Sequence, residues 1–223
     1  FLVPFLTALV TVPLTFLAIG PIMNFVADGL GQGLLSIQAF NPIIFGAIIG
    51  FTWQVLVMFG MHWALIPFVI ISLSQGTPTA LITGAGSVAV AQTGATLAVL
   101  MKTKNKRLKE LAVPAVISGA FGITEPALYG VTILHKRVLY GVMVGSFIGG
   151  ASLGLLAVEA YVAVGPGLAS LSMFISEKLP NNLMYAVIGL VISFIVSFVS
   201  VFLLWKEPVS KVVDLERSEE HTS

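Results

Sequence analysis

Long runs of apolar residues alternate along the chain with short polar or glycine-rich segments. The apolar runs cover residues 1–27, 42–73, 81–101, 138–164 and 183–204. A helix needs about 20 consecutive apolar residues to cross the hydrocarbon core of a bilayer. Each run is long enough, so the pattern predicts an all-α polytopic membrane protein.

Several of these runs contain residues that disturb a straight helix. Pro4, Pro13 and Pro21 lie in the first run and predict kinks, because proline lacks the amide donor of a helix interior. The next segment, residues 28–41, is glycine-rich and weakly apolar, which predicts a connector or an interfacial helix. The small residues of run 81–101 leave two possibilities open, a span or a re-entrant hairpin.

Charged residues are scarce and unevenly distributed. Only 9% of the 223 residues are charged and 57% are hydrophobic, whereas a soluble domain carries about 25% charged residues. Asp28 is the only Asp, Glu, Lys or Arg in residues 1–101. This composition excludes a soluble globular protein, and the net charge of +1 gives no case for nucleic-acid binding. Cysteine is absent, so we predict no thiolate metal site, and no other metal or cofactor is expected.

The basic residues predict the topology of the middle of the chain. Five of the eight residues 102–109 are basic, and the positive-inside rule places this segment in the cytoplasm. The next basic pair, Lys136-Arg137, follows only 26 residues later, which is too short for two full spans. The intervening segment, 110–135, therefore predicts a re-entrant hairpin. Irregular backbone at membrane depth must be buried in protein or line a cavity, so we expect a cavity near Glu125.

Glu125 is the strongest candidate for a functional side chain. It is the only acidic residue in the 48 positions between Glu110 and Glu159. A carboxylate at the centre of a bilayer costs about 2.5–3.5 kcal/mol, so such groups usually face a wet cavity and a partner. We expect Glu125 to hydrogen-bond a polar ligand. The alternative is a structural carboxylate that caps the amides of a broken helix.

Other polar side chains interrupt the apolar runs. His62 is the only histidine in the first 134 residues, and a neutral imidazole offers one donor and one acceptor to a sugar hydroxyl. A buried histidine bonded to a backbone carbonyl is equally compatible with its position. Trp63 could stack on a sugar or simply pack, and Gln54 and Gln92 could bind a ligand or join two helices.

Three glycines spaced four residues apart point to helix packing. Gly141, Gly145 and Gly149 share one face of the predicted fourth span. Small residues at this spacing let another helix approach closely, so we expect a packing role and no chemistry there.

The motif Gly122-Ile-Thr-Glu-Pro-Ala-Leu-Tyr-Gly-Val131 resembles the signature of the membrane component, enzyme IIC, of bacterial sugar phosphotransferase systems of the glucose superfamily. Five further pieces, in the same order and at similar spacing, resemble the β-glucoside-specific branch: Pro13–Phe16, Ile19–Pro21, Trp53–Val55, Phe59–Trp63 and Ala91–Ala95. The resemblance covers about residues 4–208.

The resemblance implies a fold and an activity. Kinked transmembrane helices and re-entrant helical hairpins would surround a sugar cavity in a multi-pass protein of the bacterial plasma membrane. A β-glucoside would be taken up, and its 6-hydroxyl would be phosphorylated by a phosphocysteine of a IIB domain, as part of a phosphoenolpyruvate-dependent phosphotransferase. Glu125 and His62 would be the catalytic pair, and Thr124, Gly122, Trp63 and Gln92 would also contact the sugar.

The resemblance also implies a domain organisation. Residues 1–208 would be the C-terminal part of the IIC domain, without the N-terminal helices that form the homodimer. IIB and IIA phosphocarrier domains would be fused to it in the full-length protein, with residues 209–216 starting a cytoplasmic linker, and membrane lipid would surround it. Residues 217–223 resemble a translated sequencing adapter; a genuine polar tail is the alternative.

Two other functions fit the sequence. A secondary sugar transporter also forms a midplane site from broken helices and would not phosphorylate its sugar. A truncated fragment without activity is the second alternative. Sucrose, trehalose and glucose stay open beside a β-glucoside as the substrate.

Overall fold

A computed structural model describes residues 2–165 and 167–207. In these ranges the regular secondary structure is helical, with an isolated antiparallel bridge between Thr79 and Ala160. The predicted all-α class is confirmed. The linker predicted at 209–216 and the adapter-like segment at 217–223 lie outside the described residues.

The first apolar run forms a long helical segment with one irregularity. Helix α1 (Leu2–Leu14) continues through a π-helical stretch (Thr15–Ile19) into α2 (Gly20–Phe40). Pro13 lies at the end of α1, directly before this π-helical stretch, which is a way for a helix to accommodate a disrupted hydrogen-bond ladder. The kinks predicted at the three prolines stay predictions. The stretch predicted as a connector or interfacial helix belongs to α2, apart from Asn41.

The second apolar run bends sharply instead of forming one helix. Helix α3 (Pro42–Met58) begins at Asn41, whose side chain accepts hydrogen bonds from two amides of the first turn. The chain then turns at Gly60, where φ is 71°. A short 3₁₀ helix (Met61–Ala64) and α4 (Ile66–Ser74) follow at an angle of 116° to α3. Glycine allows this turn because it has no Cβ to clash in the left-handed conformation.

Helix α5 (Leu81–Lys102) lies at the centre of the bundle. It is a continuous helix of 22 residues. Of the two alternatives predicted for this run, a span or a re-entrant hairpin, the structure shows a helix of spanning length. It packs against α3, α8 (Lys136–Leu155) and α9 (Asn182–Leu204). Within the described ranges four helical segments are long and apolar enough to cross a membrane, and the bent pair after residue 42 makes a fifth if it is counted as one span.

Residues 106–132 form a helical hairpin. Helix α6 (Lys106–Ala120) ends in a turn at Gly122, where φ is 89°. A single helical turn, α7 (Glu125–Ala127), and a π-helical stretch (Leu128–Thr132) follow, and this second arm contacts α6. The re-entrant insertion of the hairpin into the membrane stays a prediction.

The packing role predicted for the glycines of α8 is confirmed. A Cβ atom added to these glycines would lie 2.3–2.4 Å from side-chain atoms of α9, in the pairs Gly141–Val201, Gly145–Ser197 and Gly149–Ser193. Such contacts are far inside the usual van der Waals distance. The two helices therefore approach as closely as they do only because the side chain is missing.

The predicted span 138–164 is too long. Helix α8 ends at Leu155, and Ala157 takes a positive φ of 50°. The rest of the run is irregular, because its backbone groups bond elsewhere: Ala160 pairs with Thr79, and the Tyr161 amide donates to the Met173 carbonyl at 2.9 Å. Hydrophobicity alone does not distinguish such an apolar loop from a helix.

Candidate functional site

A cavity of about 290 Å³ lies between the bend after α3, helix α5 and the tip of the hairpin. We call it the hairpin-tip cavity. Five of the six site residues predicted from the sequence line it: His62, Trp63, Gly122, Thr124 and Glu125. They come from two segments about 60 positions apart in the sequence, so the fold brings them together.

The hairpin tip supplies the acidic side of the cavity. The Gly122 amide donates to the Gly119 carbonyl at 2.9 Å, and the Leu128 amide donates to the Thr124 carbonyl at 2.8 Å. These bonds close the turn and start α7, whose first residue is Glu125. Glu125 is exposed and lines the cavity, which leaves its carboxylate accessible to a ligand.

The bend after α3 supplies the opposite side. His62 is half-buried between two tryptophans, with ring centroids 6.2 Å from Trp53 and 5.6 Å from Trp63. Its Nδ1 is buried and has no hydrogen-bond partner in the described part of the chain. A buried polar atom without a partner is costly, and because no solvent reaches this nitrogen, the part of His62 that is open to the cavity is the rest of its half-buried ring.

The remaining walls are mostly apolar. They come from three elements, with Val57 on α3, Ile66, Val69 and Ile70 on α4, and Ile82, Ala85 and Ala89 on α5. Apolar walls with a few converging polar groups are typical of small-molecule sites, and the volume lies at the lower end of their range, about 300–1,000 Å³. The arrangement can hold a small ligand with several hydroxyls, and a carboxylate within reach could accept a proton from one of them.

The sequence analysis missed one wall. Residues 163–165 line the cavity because the chain leaves helix α8 early and returns to the hairpin. The backbone at Gly167 packs so closely against the hairpin tip that an added Cβ would lie 2.4 Å from the Phe121 carbonyl carbon. The glycines at 165 and 167 are the signal that could have indicated a close approach of this segment.

Gln92, the sixth predicted site residue, has its side chain elsewhere. It is fully buried on α5, and its Nε2 donates to the Thr132 hydroxyl at 2.6 Å. It does not appear among the residues that line the cavity. Its position joins α5 to the second arm of the hairpin, which bears Glu125. In the described ranges no group of three or more His, Asp or Glu residues is placed to hold a metal ion.

Comparisons with known proteins identify relatives of the chain. Residues 1–150 match the family model "Phosphotransferase system, EIIC". The chain is 43% identical over 175 residues to a β-glucoside-specific EIIBCA component of Halalkalibacterium halodurans. The aligned residues cover 78% of this chain and 28% of the relative. No solved structure gives a significant match.

Two further relatives carry similar names. A β-glucoside-specific EIIBCA component of Dickeya chrysanthemi is 33% identical over 195 residues, covering 87% of this chain and 31% of the relative. An arbutin-, cellobiose- and salicin-specific EIIBC component of Escherichia coli is 31% identical over 211 residues, covering 94% of this chain and 44% of the relative. The chain spans less than half the length of each of these relatives.

The family match covers more than half of the chain and agrees with the apolar, helical architecture. The chain therefore belongs to the EIIC family of the bacterial phosphotransferase system, whose members are multi-pass proteins of the bacterial membrane.

Proposed function

We propose that this chain forms the sugar site of an EIIC unit that takes up a β-glucoside and presents it for phosphorylation. The observation that carries the proposal is the meeting of His62 and Glu125 across one cavity. The relatives named β-glucoside-specific support this class of sugar.

Each side of the cavity contributes a different kind of contact. Glu125 accepts hydrogen bonds from sugar hydroxyls, and the half-buried imidazole of His62 adds a donor or an acceptor on the opposite side. Backbone groups at Gly122 and Thr124 add further bonds at the hairpin tip. Trp63 and Trp53 offer apolar faces to the carbon atoms of the ring.

The chemical step is a phosphoryl transfer from a IIB phosphocysteine to the sugar 6-hydroxyl. The hydroxyl oxygen forms a bond to phosphorus, the S–P bond breaks, and the cysteine leaves as a thiolate. Catalysis of such transfers rests mainly on positioning and charge stabilisation. Glu125 contributes to catalysis by holding the hydroxyl in position and by accepting its proton. The relatives named EIIBC and EIIBCA support fused phosphocarrier domains as partners; the homodimer stays a prediction of the family resemblance.

The variant Glu125→Gln tests this role. The chain is placed in vesicles with the phosphocarrier proteins and with the IIB domain of the Halalkalibacterium relative, and phosphorylation of salicin is measured. Removing a catalytic base or positioner lowers the rate by about 10²–10⁴-fold. Glu110→Gln is the matched control, because Glu110 lies on α6 of the same hairpin and does not line the cavity. Normal phosphorylation by Glu125→Gln would refute the proposed role.

The same vesicles discriminate the alternative functions. Accumulation of unmodified sugar would indicate a secondary transporter, and absence of both uptake and salicin binding would indicate an inactive fragment. Competition by sucrose, trehalose or glucose, each added in excess, shows whether the cavity prefers another sugar.

A further inference from the structure

A second cavity, of about 340 Å³, opens where α8 begins and α9 ends. We call it the basic recess. It is lined by His135, Lys136, Arg137, Trp205, Lys206 and Glu207. Three of these six side chains carry a full positive charge at neutral pH, and one carries a negative charge.

The only carboxylate of the recess is already engaged. Glu207 Oε1 accepts hydrogen bonds from the Thr103 hydroxyl at 2.7 Å and from the Lys104 and Asn105 amides at 3.2 and 3.1 Å. Its Oε2 accepts one from the Trp205 indole at 3.2 Å. The carboxylate is thus directed towards the loop after α5, and the recess keeps a net positive charge.

The start of helix α8 lies at the recess together with the end of α9. No side chain caps this 20-residue helix, so the first amides point their free hydrogens outwards. The helix dipole places the equivalent of about half a positive charge at this end, and the end of α9 in the same recess places about half a negative charge there, so the net positive charge rests on the three basic side chains. His135, at the cap position, directs its Nδ1 at the Val131 carbonyl at 2.8 Å instead of at the first turn. An anion in the recess would meet the Lys136 and Arg137 side chains, and Arg137 Nη1 also donates to the Leu204 carbonyl at 3.5 Å.

The recess lies at the end of two helices of spanning length. It also adjoins the basic loop, because Lys102 Nζ donates to the Phe202 carbonyl at 2.7 Å. The positive-inside rule places that loop, and with it the recess, on the cytoplasmic side. Beside the recess, Leu134, Leu203 and Leu204 are 66%, 74% and 53% exposed. A basic cavity bordered by exposed leucines has the chemistry of the boundary between headgroups and acyl chains.

We propose that the basic recess binds the phosphate of an anionic phospholipid headgroup from the cytoplasmic leaflet. The phosphate lies against Lys136, Arg137 and Lys206, and the acyl chains cover the exposed leucines of α9. Basic pockets between transmembrane helices on this side of a membrane are known to bind such headgroups. This proposal does not depend on the sugar or on the phosphoryl transfer.

The test compares two Lys-Arg pairs of equal charge. Lys136→Gln/Arg137→Gln removes two charges of the recess. Lys106→Gln/Arg107→Gln removes a pair in the first turn of α6, at the same end of the molecule, that does not line the recess. The purified chain in neutral detergent is titrated with phosphatidylglycerol, with phosphatidylcholine and with inorganic phosphate, and binding is followed by the rise in Tm and by native mass spectrometry of retained lipid.

The expected result is selective binding of phosphatidylglycerol. Each basic residue near a membrane surface contributes about 1 kcal/mol, so the recess double variant should bind phosphatidylglycerol roughly 30-fold more weakly. The α6 double variant should bind it as the unchanged chain does. Lys206→Gln, on the other side of the recess, provides a second variant if the double variant does not fold, and we expect it to bind about 5-fold more weakly.

Three outcomes would overturn the proposal. Equal losses in both double variants would indicate diffuse surface charge. The same rise in Tm with inorganic phosphate, abolished by the recess variant, would indicate a site for a soluble anion. Unchanged lipid binding together with lost phosphorylation by the IIB domain would make the recess a docking site for the phosphocarrier.

Discussion

The close contact between α8 and α9 predicts the effect of adding a single methyl group. In Gly141→Ala the new Cβ would lie 2.3 Å from Val201 Cγ2, and the next nearest atoms are 3.5 and 3.6 Å away. Carbon atoms in contact are normally about 3.5–4.0 Å apart, so the clash exceeds 1 Å and involves essentially one methyl group. Overpacking of this kind costs about 1–3 kcal/mol, and the better helix propensity of alanine recovers up to about 1 kcal/mol. We expect a net loss of about 1–2 kcal/mol.

The double variant Gly141→Ala/Val201→Ala tests the cause. Val201 is 1% exposed, so Val201→Ala alone opens a cavity and costs about 1–2 kcal/mol. In the double variant, Val201→Ala removes the Cγ2 that clashes with the new Cβ at position 141. The backbone nitrogen and the Cβ of residue 201, at 3.5 and 3.6 Å, then make ordinary contacts with it. The two losses should therefore not add, and we expect a coupling free energy of about 1–2 kcal/mol, within the usual range for residues in contact.

The assay is thermal unfolding in one detergent, followed by circular dichroism. For a chain of this size 1 kcal/mol shifts Tm by about 2–4 °C, so Gly141→Ala should lower Tm by about 2–8 °C. Gly33→Ala on α2 is the control, because a Cβ there meets no atom within 4 Å. If Gly141→Ala matches this control, or if the two losses simply add, the packing argument is wrong.

Three further predictions concern the hairpin and the loop after α5. Gly122→Ala forces alanine to a φ of 89°, costs about 1–2 kcal/mol, and should weaken salicin binding by displacing Glu125. Gln92→Leu removes the bond to Thr132 and also a buried Oε1 that has no partner in the described residues; these effects oppose one another, so stability should change by less than about 1 kcal/mol, and salicin affinity should change less than in Glu125→Gln. Burial raises the pKa of Glu207, but its hydrogen bonds from Thr103, Trp205 and the two loop amides hold the pKa below the ordinary value of 4.5. Its contribution to stability is therefore present above pH 4.5 and lost as the pH falls through the lower folded-state pKa, so the Tm difference between Glu207→Gln and the unchanged chain should shrink there.

Each of these has an outcome that would contradict it. Salicin affinity unchanged in Gly122→Ala would show that the turn does not position the acidic side of the cavity. A loss in Gln92→Leu as large as in Glu125→Gln would place the glutamine in contact with the sugar. A Tm difference for Glu207→Gln that does not vary with pH would show that its carboxylate contributes nothing through ionisation. Isothermal calorimetry with salicin and Tm measured against pH supply these readings.

The sequence predicted the hairpin because the distribution of charged residues indicates it. Two basic clusters separated by too few residues for two spans define such a segment without any knowledge of packing, and Glu125 then marks its tip. The bend at Gly60 escaped prediction because the residues on both sides are apolar and the glycine has no polar neighbours to indicate a turn. The early end of α8 escaped for a related reason, since the apolar loop that follows it has the same hydrophobicity as a helix.

Gln92 illustrates a different limit. A polar residue in a central helix points to a polar partner, and the sequence could not specify whether that partner is a ligand or another side chain. The answer depends on which face of α5 meets the hairpin, and the small residues that surround Gln92 on all sides give this helix no distinct polar face. Of the six predicted residues, the five near turns line the cavity, and their role as sugar contacts stays a prediction.

The bend at Gly60 divides the second apolar run into two parts with different constraints on mutation. Eight residues of α3 are buried in the bundle, whereas Val69 is the only buried residue of α4. Substitutions at Ile66 and Ile70 of α4 therefore reshape the cavity wall without disturbing the interface of α3 with α5 and α8. The wall that α4 gives to the cavity can therefore change in sequence while the helices that hold the bundle together stay the same, and α4 is the place to begin a redesign of the cavity.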